Sequence, residues 1–199
     1  MSPTKPRRYW NRYIDHKGDW RLHPESGTPM RPPGEELAAL RAGLGREMGD
    51  VPQMWPLYTS EPDDILARRN QFTTEQIAEH AALALYGLHQ QSQDKPMHRP
   101  GLSVGKALLA LRNSGKFSEQ AVDARVTAAA TATTVPAFLM RLRGLVTQLR
   151  TIGQPLDYDQ LLQDIRDWQS PRTRLRTRRR WALAYQAWGK EQGPTSMDS

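Results

Sequence analysis

The chain has 199 residues, with 28 Lys and Arg against 21 Asp and Glu and a formal charge of +7, long enough for one domain or two small ones around a buried core. The absence of cysteine excludes disulfides, thiolate nucleophiles, zinc fingers and iron–sulfur centres and fits a reducing, cytoplasmic setting. The longest uncharged run, Val126 to Met140, is shorter than the ~20 apolar residues a membrane span needs, and no apolar stretch at the N-terminus suggests a signal peptide.

Residues 1–33 are proline-rich and basic, with Tyr9, Trp10, Tyr13 and Trp20 interleaved among Arg7, Arg8, Arg12, Lys17 and Arg21. They read as a flexible arm, either a disordered leader or one whose aromatics stack on bases while its cations meet phosphates. Leu37, Leu40 and Leu44 recur at helical spacing, predicting a helix from Glu35 to Glu47 that ends near Gly49. Pro52 to Tyr58, with Met54, Trp55 and Leu57, reads as an apolar plug. Asp63 and Asp64 suit a helix start, where negative charge meets the dipole. Thr73 with Gln76 forms the pattern of a capping box, opening a helix through Ile77, Ala81, Leu85 and Leu88.

The polar stretch Gln90 to Pro100 is the expected boundary. It divides an N-terminal lobe (34–92) from a linker (93–102) and a C-terminal lobe (103–189), with a disordered tail at 190–199. Ser103 caps a helix over Val104 to Arg112, and Ser118 caps the next, through Val122, Val126 and Ala129. Thr134 and Pro136 open a helix with Phe138, Leu142, Leu145 and Leu149 on one face. Asp157 caps a helix with Leu161, Leu162, Ile165 and Trp168. Ser170 and Pro171 start a last one bearing Trp181, Tyr185 and Trp188. Strand-like alternation is nearly absent. The fold class is all-α, a two-lobed helical bundle with a flexible N-terminal arm.

Catalytic patterns are missing. Gly101-Leu-Ser-Val-Gly105-Lys106-Ala107 has one residue too few between its glycines for a phosphate loop, and Ala107 where a Ser or Thr would hold magnesium. His16, His23, His80, His89 and His98 have no metal-binding spacing, and no serine sits in a nucleophile elbow. No metal, cofactor or enzymatic activity is expected.

The arginines carry the functional signal. Arg172, Arg174, Arg176, Arg178, Arg179 and Arg180 crowd the start of the last helix, opposing its dipole and repelling one another at i, i+4. An external polyanion relieves both penalties and accepts the guanidinium forks. Arg143 and Arg150, two turns apart, form a second stripe, with Arg141 on the other flank of the apolar face. Arg112, Lys116 and Arg125 add charge nearby. Such an array suits nucleic acid. A free-standing helical DNA-binding regulator and a protein–protein scaffold are the alternatives.

Several motifs, in order, resemble a known family. They are Leu37-Ala-Ala-Leu-Arg41, Val51-Pro52 with Trp55, the Gly101 to Leu108 run, Asn113-Ser-Gly-Lys116, Arg141-Leu-Arg143, and Asp157-Tyr-Asp followed by a basic, Trp-containing helix. From Glu35 to Trp188 the chain is similar to the CasB family, the small subunit of the type I-E CRISPR surveillance complex Cascade. The resemblance implies an all-helical, two-lobed, non-enzymatic subunit present as two head-to-tail copies. It would touch other Cascade subunits, steady the guide RNA–target DNA hybrid and hold the displaced strand of the R-loop. It further implies nucleic-acid contact by Arg41, Lys106, Lys116, Arg141, Arg143 and the arginines after Pro171, of which Arg172, Arg174, Arg178 and Arg179 are the chief candidates. Arg112, Arg125 and Arg150 rest on the charge pattern alone.

Overall fold

A computed structural model describes residues 7–186; the first six residues, Trp188 and the expected tail at 190–199 lie outside them. Among the described residues there are nine α-helices, one 3₁₀ helix and no strand, only isolated bridges such as Ile14 with Trp20 and His98 with Leu156. The helices are α1 (Tyr9–Tyr13), α2 (Gly34–Ala42), α3 (Asp64–Ala67), α4 (Thr74–Gln90) and α5 (Val104–Arg112). They continue with α6 (Glu119–Ala130), α7 (Val135–Thr151), α8 (Tyr158–Trp168) and α9 (Pro171–Gln186); the 3₁₀ turn spans Pro52–Leu57.

Local chemistry sets most boundaries. Thr73 and Gln76 close a full capping box on α4, with each side chain accepting the other residue's backbone N–H. Ser103, Ser118, Thr134 and Asp157 each accept an amide N–H as N-caps of α5, α6, α7 and α8. Asp63 does the same for the short α3, accepting from Ile65 and Leu66. Two expectations need correction. The helix predicted over 35–47 stops at Ala42, because the chain turns through Gly43 and reaches Gly45 at φ +76°. The plug at 52–58 is half right: Met54 and Leu57 are buried, while Trp55 is 58% exposed.

Helix α4 is the central post. All but three of its residues are buried, and it packs against α2 on one side and α7 and α8 on others. The buried apolar side chains form one cluster running from Tyr9 to Trp181, so residues on both sides of the 93–102 connection share a core. Helix α9 lies along α5 and α8, and Phe138 of α7 stacks on Trp168 of α8 with ring centroids 3.7 Å apart.

The N-terminal segment departs most from expectation. Tyr9 and Trp10 are fully buried and Ile14 nearly so. Trp10 packs beside Tyr86, His98 and Tyr158, and its indole N–H donates to Asp159 at 2.9 Å. Tyr9 and Tyr13 both donate to Glu36. Arg8 pairs with Glu75 and, at 2.8 Å, with the buried Glu79. The stretch Tyr9–Ile14 of the arm pictured as flexible is therefore part of the core, while most of residues 16–31 stay exposed or half-buried. Its aromatics are rings that bury area and keep a polar tip satisfied, not a free stacking surface.

Candidate nucleic-acid interface

Helix α9 sorts its arginines by direction. Those on the inner side meet acceptors of the fold. Arg174 donates through Nε to the carbonyl of Trp168 at 3.1 Å. Arg178 donates to the carbonyl of Ala132 at 3.0 Å and lies 5.5 Å from the centre of the Trp168 ring. Arg180 pairs with Asp164, which is fully buried and also accepts the Trp181 indole N–H at 2.6 Å. Burial pushes the Asp164 carboxyl above its usual range, with Trp181 and Arg180 pulling the other way. Arg172, Arg176 and Arg179, at i, i+4 and i+7, share the outer face and are exposed. None of the three has a carboxylate partner among the described residues. The first turn of α9 holds no acidic residue, so the positive end of its dipole adds to this row.

The fold brings α9 close by means of a glycine. A Cβ at Gly105 of α5 would stand 2.7 Å from the Cβ of Ala184 and 2.8 Å from the carbonyl oxygen of Trp181. The glycine that made the sequence look like a phosphate loop is thus a crossing point for two helices. Beside it, α5, α6 and α9 enclose a groove of about 710 Å³ lined by Arg112, Asp123, Arg178 and Tyr185, among others.

That groove is not simply cationic. Arg112 is held by Glu119 at 2.7 Å and by Asp123 at 3.0 Å. Asp123 also accepts the Tyr185 hydroxyl, which with Arg112 keeps its carboxyl below the ordinary range. Arg150 is likewise engaged, donating to the Gln91 side chain at 2.8 Å and to the Leu88 carbonyl. The stripe proposed for Arg143 and Arg150 therefore divides: Arg143 is exposed, whereas Arg150 ties α7 to the end of α4. Lys106 on α5, Lys116 in the α5–α6 turn, Arg125 on α6 and Arg141 on α7 are exposed, and Arg41 on α2 is half-buried. None of these five forms an ion pair among the described residues.

Two cations lie outside the chief candidates. Arg176 belongs to the cluster after Pro171, and its i, i+4 and i+7 relation to Arg172 and Arg179 places it on their face. Arg46 was assigned to a helix that ends before it; it stands exposed in the turn after α2.

Three of the five histidines, His80, His89 and His98, are core groups, whereas His16 and His23 are exposed. His80 bridges Tyr58 at 2.8 Å and the Arg46 carbonyl at 3.0 Å. His89 is fully buried against the Tyr158 hydroxyl, and burial pushes it down to about 3. His98, Asp157 and Asp159 bring three potential ligand atoms within 4.8 Å of one another. His98 Nδ1, however, accepts the Tyr158 backbone N–H. The proton of the neutral ring is then on Nε2, leaving no lone pair there for a cation. Asp157 is occupied as a helix cap and by the Gly101 N–H, and Asp159 by Trp10 and Asn11. The trio suits structure better than metal binding.

The comparisons with known proteins agree with the sequence resemblance. Residues 36–185 match the family of the CRISPR-associated protein Cse2. The crystal structure of CasB from Thermobifida fusca is similar with TM-score 0.59 and 28% identity, over 76% of this chain and 84% of that one. A CRISPR-associated protein of the Cse2 family from Thermus thermophilus is similar with TM-score 0.55 and 26% identity, over 75% and 84%. A chain of a CRISPR RNA-guided surveillance complex shares the fold at 19% identity, with TM-score 0.58 over 80% and 88%. No curated protein matches. No described helix is long and apolar enough to cross a membrane.

Proposed function

The chain belongs to the CRISPR-associated Cse2 family, and we propose that it serves as a non-catalytic structural subunit of a type I-E Cascade complex. In this reading it steadies the guide RNA–target DNA hybrid and holds the displaced strand, beside other Cascade subunits and a second copy of itself. The observation that carries the reading is the row Arg172, Arg176 and Arg179, exposed and without carboxylate partners among the described residues. Lys106, Lys116, Arg125, Arg141 and Arg143 extend the contact set, with Arg41 at its edge. Arg112, Arg150, Arg174 and Arg178 drop to a supporting role, because each already donates to an acceptor within the chain.

The physics suits a strand whose sequence changes with every target. Guide pairing reads the bases, and opening the duplex is nearly balanced in energy, so a few phosphate contacts shift it. Guanidinium groups displace counterions from the backbone without selecting sequence. The test is displaced-strand affinity against salt in the assembled complex. Replacing Arg172, Arg176 and Arg179 together by Ala is expected to make the log–log slope shallower by about 2, from ~0.7 per lost single-strand contact, with helical content unchanged. An unaltered slope refutes the assignment.

A further inference from the structure

Where α4 and α7 meet, the turn after α2 leaves a groove of about 690 Å³. Its wall includes Phe72, Ile77 and Met140, which are 42%, 36% and 67% exposed. Large apolar side chains gathered in the open mark a binding surface. Arg46 and Arg143 also line the groove, both exposed and neither paired with a carboxylate among the described residues. Among the described residues, Glu47 is the only acidic one lining it. Gln169, three residues before Arg172 in the chain, also lines it.

We infer that this groove receives the unpaired bases of a single-stranded nucleic acid, with Arg46 and Arg143 on the flanking phosphates. The inference rests on the function proposed above and adds to it a place for bases, on residues outside the arginine row. A single strand offers, at each nucleotide, both an anionic phosphate and an exposed ring face, which matches a wall of Phe72 and Met140 beside two open guanidiniums. A duplex keeps its ring faces stacked inside and cannot use the wall. An apolar protein segment could fill the wall but would leave both guanidiniums without an anion, so the charge favours a strand.

The experiment compares oligo-thymidine with an abasic strand of the same length, each bound to the assembled complex. The thymidine strand is expected to bind several-fold tighter. Phe72→Ala with Met140→Ala should weaken it about fivefold or more, the low end for a lost base stack, and leave the abasic strand unchanged. Removing Arg172, Arg176 and Arg179 should weaken both strands alike. A strand carrying 5-iodouracil, irradiated on the unsubstituted complex, should cross-link at Phe72 or its neighbours in the groove; this readout does not depend on a variant folding. Equal affinity for the two strands, or cross-links only elsewhere, overturns the base groove while leaving the phosphate reading intact. Loss of the Phe72/Met140 variant from the complex, with no change in base preference in what remains assembled, identifies a protein-docking groove and equally overturns it. Failure of the arginine variant to affect either strand strikes the broader reading instead.

Discussion

Gly105 and Gly144 make a paired test of how α9 is seated. Both lie inside helices, where Ala is favoured over Gly by about 1 kcal/mol. At Gly144 on α7 a Cβ meets nothing within 4 Å, so Gly144→Ala should raise stability by about 0.5–1 kcal/mol. At Gly105 the new methyl would stand 2.7 Å from the Ala184 Cβ and 2.8 Å from the Trp181 carbonyl oxygen. Neither of those atoms can swing away by a side-chain rotation, so α9 itself must shift. Overpacking of this kind costs about 1–3 kcal/mol, here toward the upper end. After subtracting the propensity gain, Gly105→Ala should lower stability by about 1–2 kcal/mol. Urea unfolding followed by far-ultraviolet circular dichroism measures both, and in a thermal scan each kcal/mol moves the midpoint by roughly 2–4 °C for a chain of this size. The reasoning fails if Gly105→Ala is as stable as the parent, or if the two substitutions shift stability in the same direction.

Further expectations concern the buried polar groups. Trp10→Ala should cost about 3–5 kcal/mol, as for other fully buried tryptophans, measured by the same urea titration; a cost under about 1 kcal/mol would restore the picture of a loose arm. His89, whose folded pKa of about 3 lies below the ordinary histidine value, makes stability depend on acid. Protons bind the unfolded chain first, so its contribution is complete above about pH 6.5 and declines toward pH 3, by about 1.4 kcal/mol per unit. His98 and His80 shift in the same direction. His89→Gln should flatten the pH dependence of the urea midpoint between pH 6 and 4, and an unchanged profile would show that His89 is not held neutral by burial.

What could be read in advance was local. Thr73, Ser103, Ser118, Thr134 and Asp157 announce their helices because a cap acts within three residues of itself. The leucine face of α7 and the all-α class follow from spacing for the same reason. What escaped depends on partners far along the chain. Tyr9 and Trp10 looked like free aromatics because Glu36, Tyr86 and Asp159 cannot be foreseen as their neighbours. The α9 arginines looked alike because the carbonyls of Ala132 and Trp168, which draw two of them inward, leave no mark in a sequence. Gly105 resembled part of a nucleotide loop because close approach of another helix has no local signature. The cations of the candidate interface were legible as a group, and their division into engaged and open members was not.

The hydrogen bond from Trp10 to Asp159 joins residues 149 apart in the chain. During synthesis, which proceeds from the N-terminus at a limited rate, Trp10 is made well before the α8 residues it packs against. One of the largest rings of the core therefore lacks its final neighbours until α8 has been made. Long-range closure of this sort slows folding, and it makes the docking of Trp10 wait for a segment 149 residues further along the chain.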